Sequence, residues 1–146
     1  MHYAETPPPP ELDGLVEAVW TLDIGADGWV DHQAVPDGCI ELIRRHSGRS
    51  FWRTDQPPLF VTGLALRPAV LRFSGDARFT GIRLWPWAWH ALGGAPCNDF
   101  ADGWREIAAR VWPGCEIEVE QHGNCLTAMG AMLGLSVEEF SRAELE

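Results

Sequence analysis

The chain contains no lysine: its 11 basic side chains are all arginines, set against 21 acidic residues for a formal net charge of −10. That balance argues against a bulk nucleic-acid binder, because phosphate contacts need a surplus of positive charge. No apolar run approaches the roughly 20 residues that span a bilayer. The start, Met1-His2-Tyr3-Ala4-Glu5, also lacks the basic-then-apolar order of a secretory leader. The expectation is a cytoplasmic protein without membrane contact. Cys39, Cys97, Cys115 and Cys125 have none of the short Cys-x-x-Cys spacing of zinc or redox sites, so reduced core thiols are expected. A Gly-x-Ser-x-Gly elbow, a Gly-rich phosphate loop and a His-Glu-x-x-His helix are missing too, so neither enzyme activity nor a cofactor is expected.

What is present reads as one globular domain. Its 146 residues are 46% apolar and 22% charged, and a chain of this size buries roughly 70% of its unfolded surface without needing disulfides or metal. Pro7-Pro8-Pro9-Pro10 fixes φ and removes donors, which marks residues 1–14 as an extended lead. From 15 to 85, apolar and β-branched runs alternate with Gly, Asp and Ser turns. These runs predict antiparallel strands at 15–24, 29–35, 39–45, 50–53, 59–63, 69–74 and 78–85. The fold class is therefore α+β, mainly β: a sandwich or barrel of about seven strands, followed by three or four helices over 86–146.

After Trp85 the apolar period lengthens to about 3.6. Pro86 opens a short helix that Gly93-Gly94 ends. Trp104, Ile107, Ala108, Val111 and Trp112 then form one stripe on a helix over 102–112. Glu116 to Glu120 reads as a short extended link. Leu126, Met129 and Leu133 mark a further helix, and Ser136 with Glu139 makes a capping box for the last one. That pair has helix-turn-helix spacing, but its second member carries Glu138, Glu139, Glu144 and Glu146 against Arg142, so no direct DNA contact is expected.

Candidate functional residues come from aromatics and charge. Eight tryptophans are present, and a tryptophan joins a large apolar body to one N–H donor, which suits a pocket lining as well as a core. Trp20, Trp52, Trp85, Trp87 and Trp89, with Arg83 beside them, are the candidate ligand-binding set. Arg83 either fixes an anionic or carbonyl group or pairs with Asp37 or Glu41 to fasten the Pro36-Asp37-Gly38 turn. Trp104, Ile107 and Trp112 are the candidate dimer face. Residues 44–83 hold eight arginines and two acids. This basic middle either pairs with the acidic remainder or offers an anion surface. His32, Asp37, Cys39, Glu41 and His46 could converge as metal ligands, although no spacing signature supports it, and no metal site is assigned.

Three stretches occur in a telling order: Leu15-Val16-Glu17-Ala18-Val19-Trp20, then Val35-Pro36-Asp37-Gly38-Cys39-Ile40-Glu41-Leu42-Ile43, then Phe79-Thr80-Gly81-Ile82-Arg83-Leu84-Trp85-Pro86 running to Leu92-Gly93-Gly94-Ala95-Pro96. The set resembles the uncharacterised N-terminal domain of AraC-type transcriptional regulators, over roughly residues 3–112. The resemblance implies an effector-sensing and dimerisation domain that reaches DNA only through a separate C-terminal domain, which this sequence does not include. The expected partners are a small-molecule effector and a second copy of the chain. The alternatives are a ligand-free protein-interaction module and a cupin-like metal-binding enzyme.

Overall fold

A computed structural model describes residues 1–36, 38–91, 96 and 100–106. Within them the chain forms β1 (His2–Thr6), β2 (Val16–Asp23), β3 (Val30–Ala34), β4 (Ile40–Ser47), β5 (Ser50–Trp52), β6 (Thr54–Asp55), β7 (Leu59–Thr62), β8 (Ala69–Phe73), β9 (Arg78–Leu84) and β10 (Trp104–Glu106). A 3-10 turn (Pro10–Leu12) precedes β2, and the six-residue helix α1 (Pro86–Ala91) follows β9. The strands make two antiparallel sheets, one ordered β1-β2-β9-β4-β7-β10 and the other β3-β8-β5-β6. No barrel closes, so of the two arrangements left open by the alternation the open two-sheet one forms.

All seven expected strands are present, displaced by no more than two residues at either end. Two expectations fail. Residues 1–14 are not a lead outside the domain, because β1 pairs with β2 from His2 opposite Asp23 to Thr6 opposite Val19. Every β1 residue is exposed, as an edge strand allows, so no inward apolar alternation announces it. The helix over 102–112 fails at its start. Asp102 takes φ +52, and its carboxylate accepts the backbone N–H groups of Leu66 at 2.6 Å and Arg67 at 3.0 Å. Residues 104–106 then run as a strand beside β7, with Trp104 opposite Thr62. The remainder of that segment, the link at 116–120 and the C-terminal helix pair lie outside the described residues.

The period-two alternation of the central strands gives the six-stranded sheet two apolar faces. Ile40 and Leu42 of β4, Val61 of β7, and Ile82 and Leu84 of β9 point one way, where Leu12, Ala88, Trp89 and Phe100 cover them. Ile43, Phe60 and Phe79 point the other way, toward Phe73 of the second sheet. A register shift between Val16 and Ala18 on β2 leaves both Val16 and Val19 on the helical side and Trp20 on the inter-sheet side. The corner between β4 and β5 requires Gly48. It holds φ +77, and an added Cβ would stand 2.6 Å from the Ala77 backbone. Ser47 Oγ donates to the Asp76 carbonyl and Ser74 Oγ accepts from Arg49 N–H, each at 2.7 Å, tying this corner to the β8–β9 turn.

Candidate functional site

The two sheets do not fill the space between them. A cavity of about 360 Å³ lies there, at the small end of the range seen for sites that hold one organic molecule. From the six-stranded sheet it takes Trp20, Leu22, Ile43, Phe60 and Phe79, and from the opposite sheet Trp52, Ala69, Leu71 and Phe73. Met1, Tyr3 and Val35 also line it, yet are exposed, so they mark its mouth beside the edge strands β1 and β3. Gln56 lines the cavity with only 5% of its surface exposed. Its backbone N–H donates to Ser50 O, and its carbonyl accepts from Arg45 at 2.9 Å. The side-chain carboxamide, by contrast, has no hydrogen-bond partner among the described residues. A buried amide without a partner costs of the order of 1–3 kcal/mol, so it is a group awaiting one.

On the six-stranded sheet, register brings Glu41, Arg83 and Ala18 to one level, and Trp20, Gly81 and Ile43 to the next. Gly81 is what lets Trp20 lie flat there, since a Cβ at that position would come within 2.0 Å of the indole ring. Trp20 Nε1 then donates to Glu41 Oε1 at 3.1 Å. Arg83 donates through Nε to the same oxygen at 3.2 Å, through NH1 to Glu17 at 3.0 Å and Glu5 at 3.4 Å, and through NH2 to the Tyr3 hydroxyl at 2.9 Å. Tyr3 in turn donates to Glu5 at 2.8 Å. Burial works against the Arg83 charge, but Glu17, Glu41 and Tyr3 outweigh it and hold its pKa above the ordinary arginine value. Burial, followed by the hydrogen bond to Glu5, pushes the Tyr3 phenol up to about 12 against the pull of Arg83.

Of the six expected ligand-binding residues, Trp20, Trp52 and Arg83 line the cavity. The other three do not meet there. Leu84 points to the helical side and the chain turns into α1 at Pro86, which carries the next tryptophans to that side of the sheet. Trp89 is buried against Phe100. Trp85 and Trp87 stack with ring centres 5.3 Å apart, and Trp87 Nε1 donates to the Gly14 carbonyl at 2.9 Å. Arg83 forms ion pairs with Glu41 and with Glu5 and Glu17. Trp104, expected on a dimer face, packs edge-on to Phe60 and donates to the Trp52 carbonyl at 3.1 Å. Ile107, Trp112 and Asp37 lie outside the described residues.

Arginines of the basic middle pair with acids both inside and outside that region. Arg49 pairs with Asp55 and Arg72 with Asp31, and both guanidinium groups lie over Trp29 on the outer face of the smaller sheet. Among the described residues no group of three His, Cys, Asp or Glu side chains gathers where it could hold a metal ion. His32, Cys39 and Glu41 do line the cavity. His46 instead bonds Thr80 Oγ1 at 2.7 Å, and burial together with Arg44 and Arg78 lowers its pKa. Tyr3 and Gln56 are the site residues that sequence reasoning did not reach. Tyr3 sits in the supposed lead, and Gln56 sits in a turn before Pro57-Pro58 where no periodicity assigns it a side.

Fold and cavity together define an antiparallel two-sheet β domain with an aromatic-lined chamber between its layers. The chain belongs to the family described as a domain of unknown function, DUF6597, whose model matches residues 4–105. That span includes Tyr3's neighbours on β1, both sheets and β10, and so nearly all of the cavity wall. Comparison with curated proteins and with solved structures finds no match. No helix among the described residues is long and apolar enough to cross a membrane.

Proposed function

We propose that this chain is a small-molecule sensing domain of the kind found in AraC-like transcriptional regulators, and that the effector sits between the two sheets. One observation carries the reading: an apolar, aromatic-walled cavity of about 360 Å³ with a buried carboxamide, Gln56, that has no partner among the described residues. A core built only for stability closes over such a space, because voids and unpaired amides both cost free energy. The route for a signal is short. Phe79 and Arg83 face the cavity while Ile82 and Leu84 of the same strand face Trp89 of α1, so a shift of β9 on occupancy acts directly on the helical side. From there the response passes to a second copy of the chain or to an attached DNA-binding domain.

Native mass spectrometry of the purified chain tests this. A retained organic mass, lost on denaturation and lost in a Gln56→Leu, Trp52→Ala double variant, supports the sensing domain. A bare chain, together with tryptophan emission that no member of a library of small aromatic compounds moves, removes it in favour of a ligand-free interaction module.

A further inference from the structure

Among the described residues the polar groups at the cavity mouth are unevenly charged: Glu5, Glu17 and Glu41 gather on the Arg83 guanidinium, three carboxylates around one cation beside Trp20. Glu41 and Arg83 themselves line the cavity, and Arg83 is shielded, with 18% of its side chain exposed. The surroundings of Gln56 differ. Arg45 donates to Ser50 Oγ and the Gln56 carbonyl and is not part of the cavity wall. The Gln56 side chain therefore presents a neutral carboxamide able both to donate and to accept. Glu41 and Arg45, whose side chain reaches the Gln56 backbone, are four residues apart on β4, roughly 13 Å along the strand. The rings of Trp20, Phe60, Phe73 and Phe79 line the same cavity.

We propose that the cavity selects an aryl-alkyl ammonium compound: its cation toward the Glu41 level, its ring among the four aromatics, and a ring hydroxyl or amide against Gln56. This deepens the sensing-domain reading and rests on it. The acidic excess favours a cation and disfavours a carboxylate. Trp20 and Tyr3, with ring centres 6.0 Å apart, add π-faces on the same side. A hydroxyl or amide on the far side of the ring supplies a bond that no described residue gives the Gln56 carboxamide. Of the two roles open to Arg83, the ion pairs with Glu5, Glu17 and Glu41 favour the second over an anion contact.

The test uses the full chain and three probes with one body and different charge: tyramine, para-ethylphenol and para-hydroxyphenylpropionate, each followed by tryptophan emission and calorimetry. Tyramine is expected to bind at least about tenfold tighter than the propionate, with the neutral phenol between them. Glu41→Gln should narrow that gap several-fold, and Gln56→Leu should weaken tyramine and the phenol alike. Should Glu41→Gln fail to fold, Glu5→Gln on the exposed edge strand reads the same charge effect. Equal affinities, or a tighter propionate, overturn the ammonium proposal while leaving a ligand-binding cavity in place. An unchanged gap in the glutamine variants overturns it as well. No binding by any probe at about 1 mM overturns it too, and the retained-mass experiment then decides separately whether the cavity holds a ligand at all.

Discussion

Arg83 holds three carboxylates that would otherwise repel one another, itself 18% exposed while Glu5 is 43% exposed. Replacing it with Met keeps the stem and removes the charge. Arg83→Met should destabilise the fold by about 1–3 kcal/mol in denaturant titrations, less than for a fully buried pair because water reaches the outer carboxylates. Tyr3 is the chain's single tyrosine, so its phenolate absorbance can be read without overlap from another. It should appear near pH 12 rather than 10. Because the folded state raises this pKa, the associated stabilisation is complete below pH 10 and is lost as pH rises through 12. A phenolate signal at the ordinary pH would show that Tyr3 is not held in the Glu5–Arg83 network.

At the level of elements, β1 is the least expected and the most consequential. It is an exposed edge strand, yet it delivers Tyr3 to the cavity mouth and Glu5 to Arg83. Ala4 lies opposite Thr21 in its middle, and a proline there cannot serve the ladder as alanine does. Ala4→Pro should detach β1 and bring the Tyr3 phenol back toward pH 10 while leaving the rest of the core cooperative. Hydrogen exchange confined to β1 and β2 would confirm it, and global loss of protection would contradict it. The strands legible in the sequence were those with one face in a core and Gly-rich turns at their ends. β1 has no buried face, β6 has two residues, and β10 has a tryptophan that suits either period, so pattern alone could not find them. The site was legible to the extent that Trp20, Trp52 and Arg83 belong to strands. It failed at α1, where closeness in sequence to Arg83 was no guide to which side of the sheet Trp85, Trp87 and Trp89 would occupy.

For the molecule as a whole, cavity and core compete for the same interior, and Gly81 decides the balance on the six-stranded sheet. Gly81→Ala should cost about 1–3 kcal/mol by overpacking. It should also shift tryptophan emission as Trp20 is pushed into the cavity and its hydrogen bond to Glu41 is broken. A variant with unchanged stability and spectrum would mean that the indole does not lie over β9. The same displacement narrows the chamber, so retained ligand should fall together with stability.

The position of Met1 at the cavity mouth has a practical side. Its thioether is exposed there, so a mild oxidant that reaches surface sulfur turns the doorway from apolar to polar, and retained ligand lost without loss of fold would report the entrance by chemistry alone.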